Sequence, residues 1–235
     1  LDSKLQGYAF QALNDAPNEE GTRPAREDGI IVRGAVVAQD PQTGSVLALA
    51  SVPSFDPEEL SQKYAEYAVD PNLPIFNRAI AGSYHPGSTF KIISAAAGLE
   101  EGKISADFEF EDKGILTVNN FSYRNWYFTQ YGRTEGVINI VRAITRSTDT
   151  FIYKVGELVG VEKLAEWAGK FGLGKATGVD LPGEASGLVP NPDWKIKTKG
   201  ERWFLGNTYH MAIGQGDIAA TPLQINNMSA VIASG

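Results

Sequence analysis

Cysteine is absent from the 235 residues, and histidine occurs only as His85 and His210. The first absence excludes a disulfide framework, Cys-based zinc sites and a thiol nucleophile. The second leaves a thin supply for a Ser-His-Asp triad or a multi-His metal site. No apolar run reaches the ~18 residues of a membrane span, and no signal-peptide pattern is read at the start. Any membrane anchor is expected upstream of Leu1. Basic charge is not in excess either: 21 Lys and Arg face 28 Asp and Glu, a net charge of -7. An acidic chain without basic runs argues against nucleic acid as its main partner. What remains is an ordinary globular composition, long enough for one large domain or one domain with a subdomain.

Local patterns place the elements. Leu5, Tyr8, Ala9, Ala12 and Leu13 recur at helical spacing and predict a short amphipathic helix over 1–13. Residues 14–29 are polar, carry two prolines and read as a flexible loop. Two β-rich runs, 31–39 and 45–50, flank Asp40-Pro41-Gln42-Thr43-Gly44 and predict a hairpin. Helices are expected over 57–68, 88–100, 137–146, 150–159, 162–171 and 222–233. The second of these is rich in small residues and poor in charge, so it is expected to be buried. Short strands are expected within 104–126. Residues 172–210 read as turns and loops, with Trp194 and Trp203 as packing anchors. Thr221-Pro222 has the form of an N-cap followed by proline at the first helical position.

The residues that carry chemistry begin with Ser88-Thr89-Phe90-Lys91, a Ser-x-x-Lys tetrad at a predicted helix start. Residues i and i+3 share a helix face, about 5–6 Å apart at Cβ. A serine hydroxyl needs a base, and a lysine in a dry apolar wall loses its charge readily enough to act as one. The Ser88 N–H at the helix start lies where a developing oxyanion needs a donor. Alone, the tetrad reads as an N-cap serine with a solvated lysine one turn on. Ser147-Thr148-Asp149, between two predicted helices, reads alone as a capping sequence.

Context adds a resemblance. Tyr84-x-Pro86-Gly87-Ser88-Thr89-Phe90-Lys91 resembles the active-site serine motif of penicillin-binding proteins. Ser147-Thr148-Asp149 resembles their second motif, in the Ser-x-Asp form of elongation-type class B members. The hairpin from Gly34 to Ser51 resembles their first strand pair, and Asn77-Arg78-Ala79 the approach to the serine. Residues 178–187 resemble the loop after their helices. Ala212-Ile213-Gly214-Gln215-Gly216 with Thr221-Pro222-Leu223-Gln224 resembles the segment before their third motif. Six blocks in the family's order cover residues from about 31 onward. The resemblance implies an α+β fold of the serine penicillin-binding/β-lactamase-like type: an antiparallel sheet flanked by helices, with an all-helical subdomain and the C-terminal strands missing. In these terms 31–56 is the sheet hairpin, 57–210 the mainly helical part with the site, and 211–235 the run toward the third motif.

For function the resemblance implies a peptidoglycan D,D-transpeptidase. Ser88 would attack the penultimate D-Ala carbonyl of a stem peptide, Lys91 would accept its proton, and Ser147 would relay a proton to the leaving group. Asp149 would bond Lys91 or the substrate amide, with Gly216 and Trp126 as further substrate-side candidates. Asp149 as an anion would tend to keep Lys91 charged, a conflict left open by the residues alone. No cofactor and no metal is implied. The implied partners are D-Ala-D-Ala stem peptides, β-lactams and a glycosyltransferase of a cell-wall synthesis complex, at the extracytoplasmic face of the bacterial membrane. His85 and His210 are read as packing residues. Gly214-Gln215-Gly216 lacks a nucleotide-loop context, and its glycines are read as letting the backbone pass close to the site wall.

The family's third motif, Lys-Thr/Ser-Gly, has no match; Lys197-Thr198 is followed by Lys199. A chain ending at Gly235 is therefore expected to be inactive alone, with a bare hairpin edge, unless a second polypeptide supplies the rest. The rivals are a D,D-carboxypeptidase or β-lactamase on the same fold, and a non-catalytic β-lactam receptor or scaffold fragment.

Overall fold

The computed structural model describes residues 1–15 and 33–235. Most of the expected loop at 14–29, and the first two residues of the expected strand at Ile31, lie outside the described residues. The chain divides into two compact units. The first comprises Leu1–Tyr84, Lys175–Gly187 and Ala220–Gly235; the second comprises His85–Gly174 and Leu188–Ala219.

In the first unit, helix α1 (Ser3–Asn14) starts where the Asp2 carboxylate accepts the N–H groups of Lys4 and Leu5, both at 2.9 Å. Such a cap satisfies donors that no helical carbonyl can reach. Strands β1 (Gly34–Gln39) and β2 (Val46–Val52) form the antiparallel hairpin, with Val37 opposite Leu49. Asp40 closes the turn, accepting from Gln42 N–H and Thr43 Oγ1, both at 2.9 Å. The hairpin edges are not bare at this pair. The Gln6 side chain of α1 meets both backbone groups of Leu49, at 2.7 and 3.0 Å, and Asn226 Nδ2 donates to Val37 O at 3.2 Å. Side-chain amides here stand in for neighbouring strands, one way an edge is blunted. Helix α2 (Leu60–Val69) follows.

The last helix of this unit, α10 (Pro222–Ser234), carries the predicted cap in full. Thr221 Oγ1 accepts Gln224 N–H at 3.1 Å, and Gln224 Oε1 accepts Thr221 N–H at 2.9 Å. Gln224 Nε2 donates to Lys175 O and Ser186 O, both at 2.8 Å. Neither Thr221 nor Gln224 exposes any surface. Thr221→Ala is therefore expected to destabilise the fold by about 1–2 kcal/mol, toward the upper end for a lost cap, because a donor is left buried. Denaturant unfolding reads this; an unshifted midpoint would show that the box contributes nothing.

The second unit is built around buried helices. A 3-10 turn, Gly87–Phe90, runs straight into α3 (Lys91–Glu100), whose Ile93, Ser94, Ala95, Ala97 and Gly98 are buried as expected. A Cβ on Gly98 would come within 2.8 Å of Val155 Cγ1, so glycine sets how closely α3 packs. Strand β3 (Phe110–Asp112) is followed by the ladder of β4 (Ile115–Val118) and β5 (Phe121–Arg124), then by helix α4 (Trp126–Tyr131). Strand β6 (Gly136–Ile138) returns to pair with β3. Helices α5 (Ile140–Thr145), α6 (Asp149–Val159), α7 (Val161–Lys170), α8 (Pro192–Lys199) and α9 (Leu205–Ala212) complete the unit.

Two local expectations change. The helix expected over 137–146 starts only at Ile140: Asn139 Oδ1 accepts Arg142 N–H at 3.1 Å as its cap, and β-branched Val137 and Ile138 pair with β3 instead. The stretch 172–210 holds two helices. One has a readable start and stop, with Asn191 Oδ1 accepting Trp194 N–H at 2.8 Å, Pro192 at the first position and Gly200 left-handed at φ 69°.

Candidate active site

Ser88 sits in the 3-10 turn and is exposed, while Lys91 opens α3 and is 2% exposed. Residues three apart in such a turn eclipse one another, so both lie on one side. The chain enters the turn through Gly87, whose N–H donates to Gly214 O at 2.8 Å. Gly214 has φ 72°, and a Cβ there would lie 2.1 Å from Gly87 O. The close backbone approach expected of the glycine pair thus occurs at Gly214. Gly216 is exposed, at φ 79°, with a potential Cβ 3.2 Å from His210 Cβ.

Arg146 caps the C-terminus of helix α5, and Ser147 takes φ 52°. Left-handed backbone is uncommon for a residue with a Cβ and costs roughly 1–3 kcal/mol unless its surroundings enforce it. Ser147 N–H donates to Ile144 O at 3.1 Å and Thr148 N–H to Ala143 O at 2.9 Å, which fixes the reversal. The turn directs both oxygens of Ser147 at Lys91. Lys91 Nζ donates to Ser147 O at 2.7 Å, approaches Ser147 Oγ at 3.0 Å and meets Asp149 Oδ1 at 2.5 Å. An ammonium has three donors, and these acceptors occupy all of them.

Burial pushes the Lys91 amine below the ordinary lysine range, and the charge of Asp149 and its hydrogen bond oppose that push without cancelling it. Desolvation thus penalises the ammonium more than one carboxylate compensates, and the amine gives up its proton more readily than an ordinary lysine. Asp149 is itself held at three points. Its Oδ1 takes Lys91, its Oδ2 accepts Trp126 N–H at 2.9 Å, and its own N–H donates to Asn125 Oδ1 at 3.2 Å. Trp126 thus meets Asp149 through its main chain. Its indole N–H donates to Arg146 O at 3.0 Å, and the Arg146 guanidinium stacks over the ring at 5.5 Å.

Of the residues expected from sequence, Lys91, Ser147, Asp149 and Trp126 are thus linked by hydrogen bonds, and Ser88 stands one turn before Lys91. Among the described residues the Ser88 hydroxyl makes no hydrogen bond of its own. Catalytic contacts of this kind often tighten only with substrate present. His85 Nδ1 lies 2.8 Å from Ile218 O, a loop-packing contact, and the His210 ring faces Tyr123. Asn125, fully buried and bonded to Asp149, was not legible as a site residue.

The profile of the penicillin binding protein transpeptidase domain matches residues 34–235. The chain belongs to the penicillin-binding protein transpeptidase family. The peptidoglycan D,D-transpeptidase MrdA of Escherichia coli K12 is 40% identical over 233 residues, which are 96% of this chain and 34% of that protein. Among solved structures, Pseudomonas aeruginosa PBP2 in complex with WCK 5153 superposes with a TM-score of 0.86 at 36% identity, covering 100% of this chain and 48% of that one. A structure described as showing coordination of polymerization and crosslinking by a peptidoglycan synthase complex gives 0.81 at 36% identity, covering 100% and 40%. The chain spans about a third of the length of the curated penicillin-binding relatives it matches.

Proposed function

We propose that this chain is the serine-bearing part of a class B, PBP2-like peptidoglycan D,D-transpeptidase. The observation that carries the reading is a buried lysine, one turn after an exposed serine, bonded to Ser147 and Asp149. In the forward step the neutral Lys91 amine takes the Ser88 hydroxyl proton as Ser88 Oγ bonds to the penultimate D-Ala carbonyl carbon. Charge develops on the carbonyl oxygen, toward the first-turn N–H groups that include that of Ser88. The peptide C–N bond breaks, and the leaving D-Ala nitrogen takes a proton passed from Lys91 through Ser147 Oγ. Ser88 then holds the ester. The amine of a second stem peptide attacks it, gives up a proton along the same path and restores the serine. A β-lactam opens at the same oxygen and leaves an ester.

The substrate is accordingly a D-Ala-D-Ala stem peptide, and the setting is the extracytoplasmic face of the cell membrane. Among the described residues no helix is long and apolar enough to cross a membrane. The similarity to a chain of a synthase complex supports a glycosyltransferase partner that supplies uncrosslinked strands.

The test is covalent labelling. The full-length protein is incubated with a labelled penicillin, and the modified peptide is located by mass. A single, long-lived adduct on Ser88, lost in Ser88→Ala, is the expected result. An adduct on another residue, or rapid turnover of the label, overturns the transpeptidase reading.

A further inference from the structure

Behind the Ser147–Asp149 turn lies a carboxylate that the proposed reaction does not use. Asp112, the last residue of β3, is 1% exposed and makes no ion pair among the described residues. Four neutral donors surround it instead. Oδ1 accepts Gly114 N–H at 2.8 Å and Thr150 Oγ1 at 2.7 Å. Oδ2 accepts Asn125 Nδ2 at 2.9 Å and Glu135 N–H at 2.9 Å. An ionised carboxylate has about four lone-pair sites, so this one is saturated. The donors come from four segments: the β3–β4 turn, the first turn of α6, the β5–α4 junction and the residue before β6.

Two of those donors lead to Asp149. Thr150 is its immediate neighbour in α6. Asn125 uses its amide N–H on Asp112 and its amide oxygen on the Asp149 N–H, and the next residue, Trp126, donates its N–H to Asp149 Oδ2. The Asp149 backbone and carboxylate are thereby tied to one buried anion along two routes. Burying an anion without a cation costs free energy that an apolar side chain of similar size would not, so a merely space-filling role does not explain it. A fully satisfied polar hub does specify one geometry among the elements that feed it.

We infer that Asp112 is a positioning residue for this site: through Asn125 and Thr150 it sets where Asp149 stands, and so where Lys91 Nζ is held beside Ser147. Asp149 is the charged group facing Lys91 Nζ, so a displaced Asp149 changes both the reach of the amine and its tendency to hold a proton. The inference rests on the reading of Lys91 as the proton acceptor for Ser88.

Asp112→Asn replaces one oxygen by an NH2, so two of the four donors meet a donor. The experiment measures acylation of the full-length protein by a labelled penicillin across pH, alongside thermal unfolding. In folded D112N the rate on the alkaline plateau is expected to fall roughly 10- to 100-fold, the scale of an ångström-sized misplacement. The pH midpoint is expected to move down, because Lys91 loses a carboxylate that stabilises its charge. The double variant D112N/D149N is expected to be no slower than D149N alone, since both act on one link. Thr150→Val, isosteric and removing a single bond to Asp112, gives a smaller loss with the same downward midpoint and covers the case in which D112N does not fold. A merely structural Asp112 would lower the melting temperature and leave rate and midpoint per folded molecule unchanged; that result, or additive losses in the double variant, overturns the inference. With wild-type protein labelled on Ser88 and variants matching it, only this inference fails. With wild-type protein labelled elsewhere, it falls together with the transpeptidase reading.

Discussion

Replacing Lys91 by methionine is expected to slow acylation of Ser88 by about 10²- to 10⁴-fold, the usual contribution of a positioned base. Methionine keeps the length and the burial of the side chain but offers no lone pair of comparable basicity. The same change should destabilise the fold by about 3 kcal/mol, because Asp149 loses the cation at 2.5 Å and stays 87% buried, with 13% of its side chain exposed. Pairing K91M with Asp149→Leu separates the two effects. Stability should recover in part, since an apolar pair can replace a buried ion pair but Trp126 N–H loses its acceptor, while acylation should stay slow. Recovery of the rate in that double variant would remove Lys91 from the mechanism.

The pH dependence follows from the direction of the Lys91 shift. The folded protein releases this proton below the ordinary lysine value of 10.5. Acylation by wild-type protein should therefore rise with pH through the lowered value and level off before 10.5, whereas K91M should lack that limb. Stability has the same sign. Between the lowered folded value and 10.5 the unfolded chain binds more protons, so folding gains as pH rises across that window. Rate profiles and denaturant midpoints at matched pH read both quantities.

Gly214→Ala is the second large effect. A methyl at this position would sit 2.1 Å from Gly87 O, against backbone that cannot rotate away, and the residue holds φ 72°. Left-handed backbone costs an alanine about 1–2 kcal/mol and forced overpacking about 1–3 kcal/mol, so a loss of roughly 2–5 kcal/mol is expected. Gly87→Ala provides the control. It holds φ 57° but meets nothing within 4 Å, so only the conformational part should appear. G214A should also slow acylation per folded molecule, because Gly87 can keep its bond to Gly214 only by shifting the turn that presents Ser88. An unfolding midpoint for G214A equal to that of G87A would refute the close-approach argument.

Legibility differed between the parts of the site. Spacing within three residues made the adjacency of Ser88 to Lys91 and of Ser147 to Asp149 readable, whereas their standing as site residues came from the resemblance. The contact between the pairs, 56 residues apart in sequence from Lys91 to Ser147, was readable only through resemblance. Helix α8 had its signals in plain view, Asn191-Pro192 at one end and Gly200 at the other, yet its weak apolar patterning hid it. Helix α9 had a different cause. Its N-cap is Phe204, and the bond that matters runs from Phe204 N–H to Asn207 Oδ1 at 2.9 Å. Asp112 falls within the stretch read only as short strands, and beyond the Gly114 N–H two residues on, nothing local announces its three other donors.

By itself the amino-acid order determined the hairpin over Asp40–Gly44, the capped helix after Thr221 and the serine and lysine of one helical turn, since each depends on neighbours a few bonds away. Tertiary structure alone decided that burial outweighs Asp149 in loosening the proton of Lys91, that Gly214 rather than Gly216 walls the Ser88 turn, and that Asp112 stands behind the Ser147–Asp149 turn. Those outcomes are balances of desolvation, steric approach and donor count among segments distant in the chain, and such balances exist only once the segments are packed.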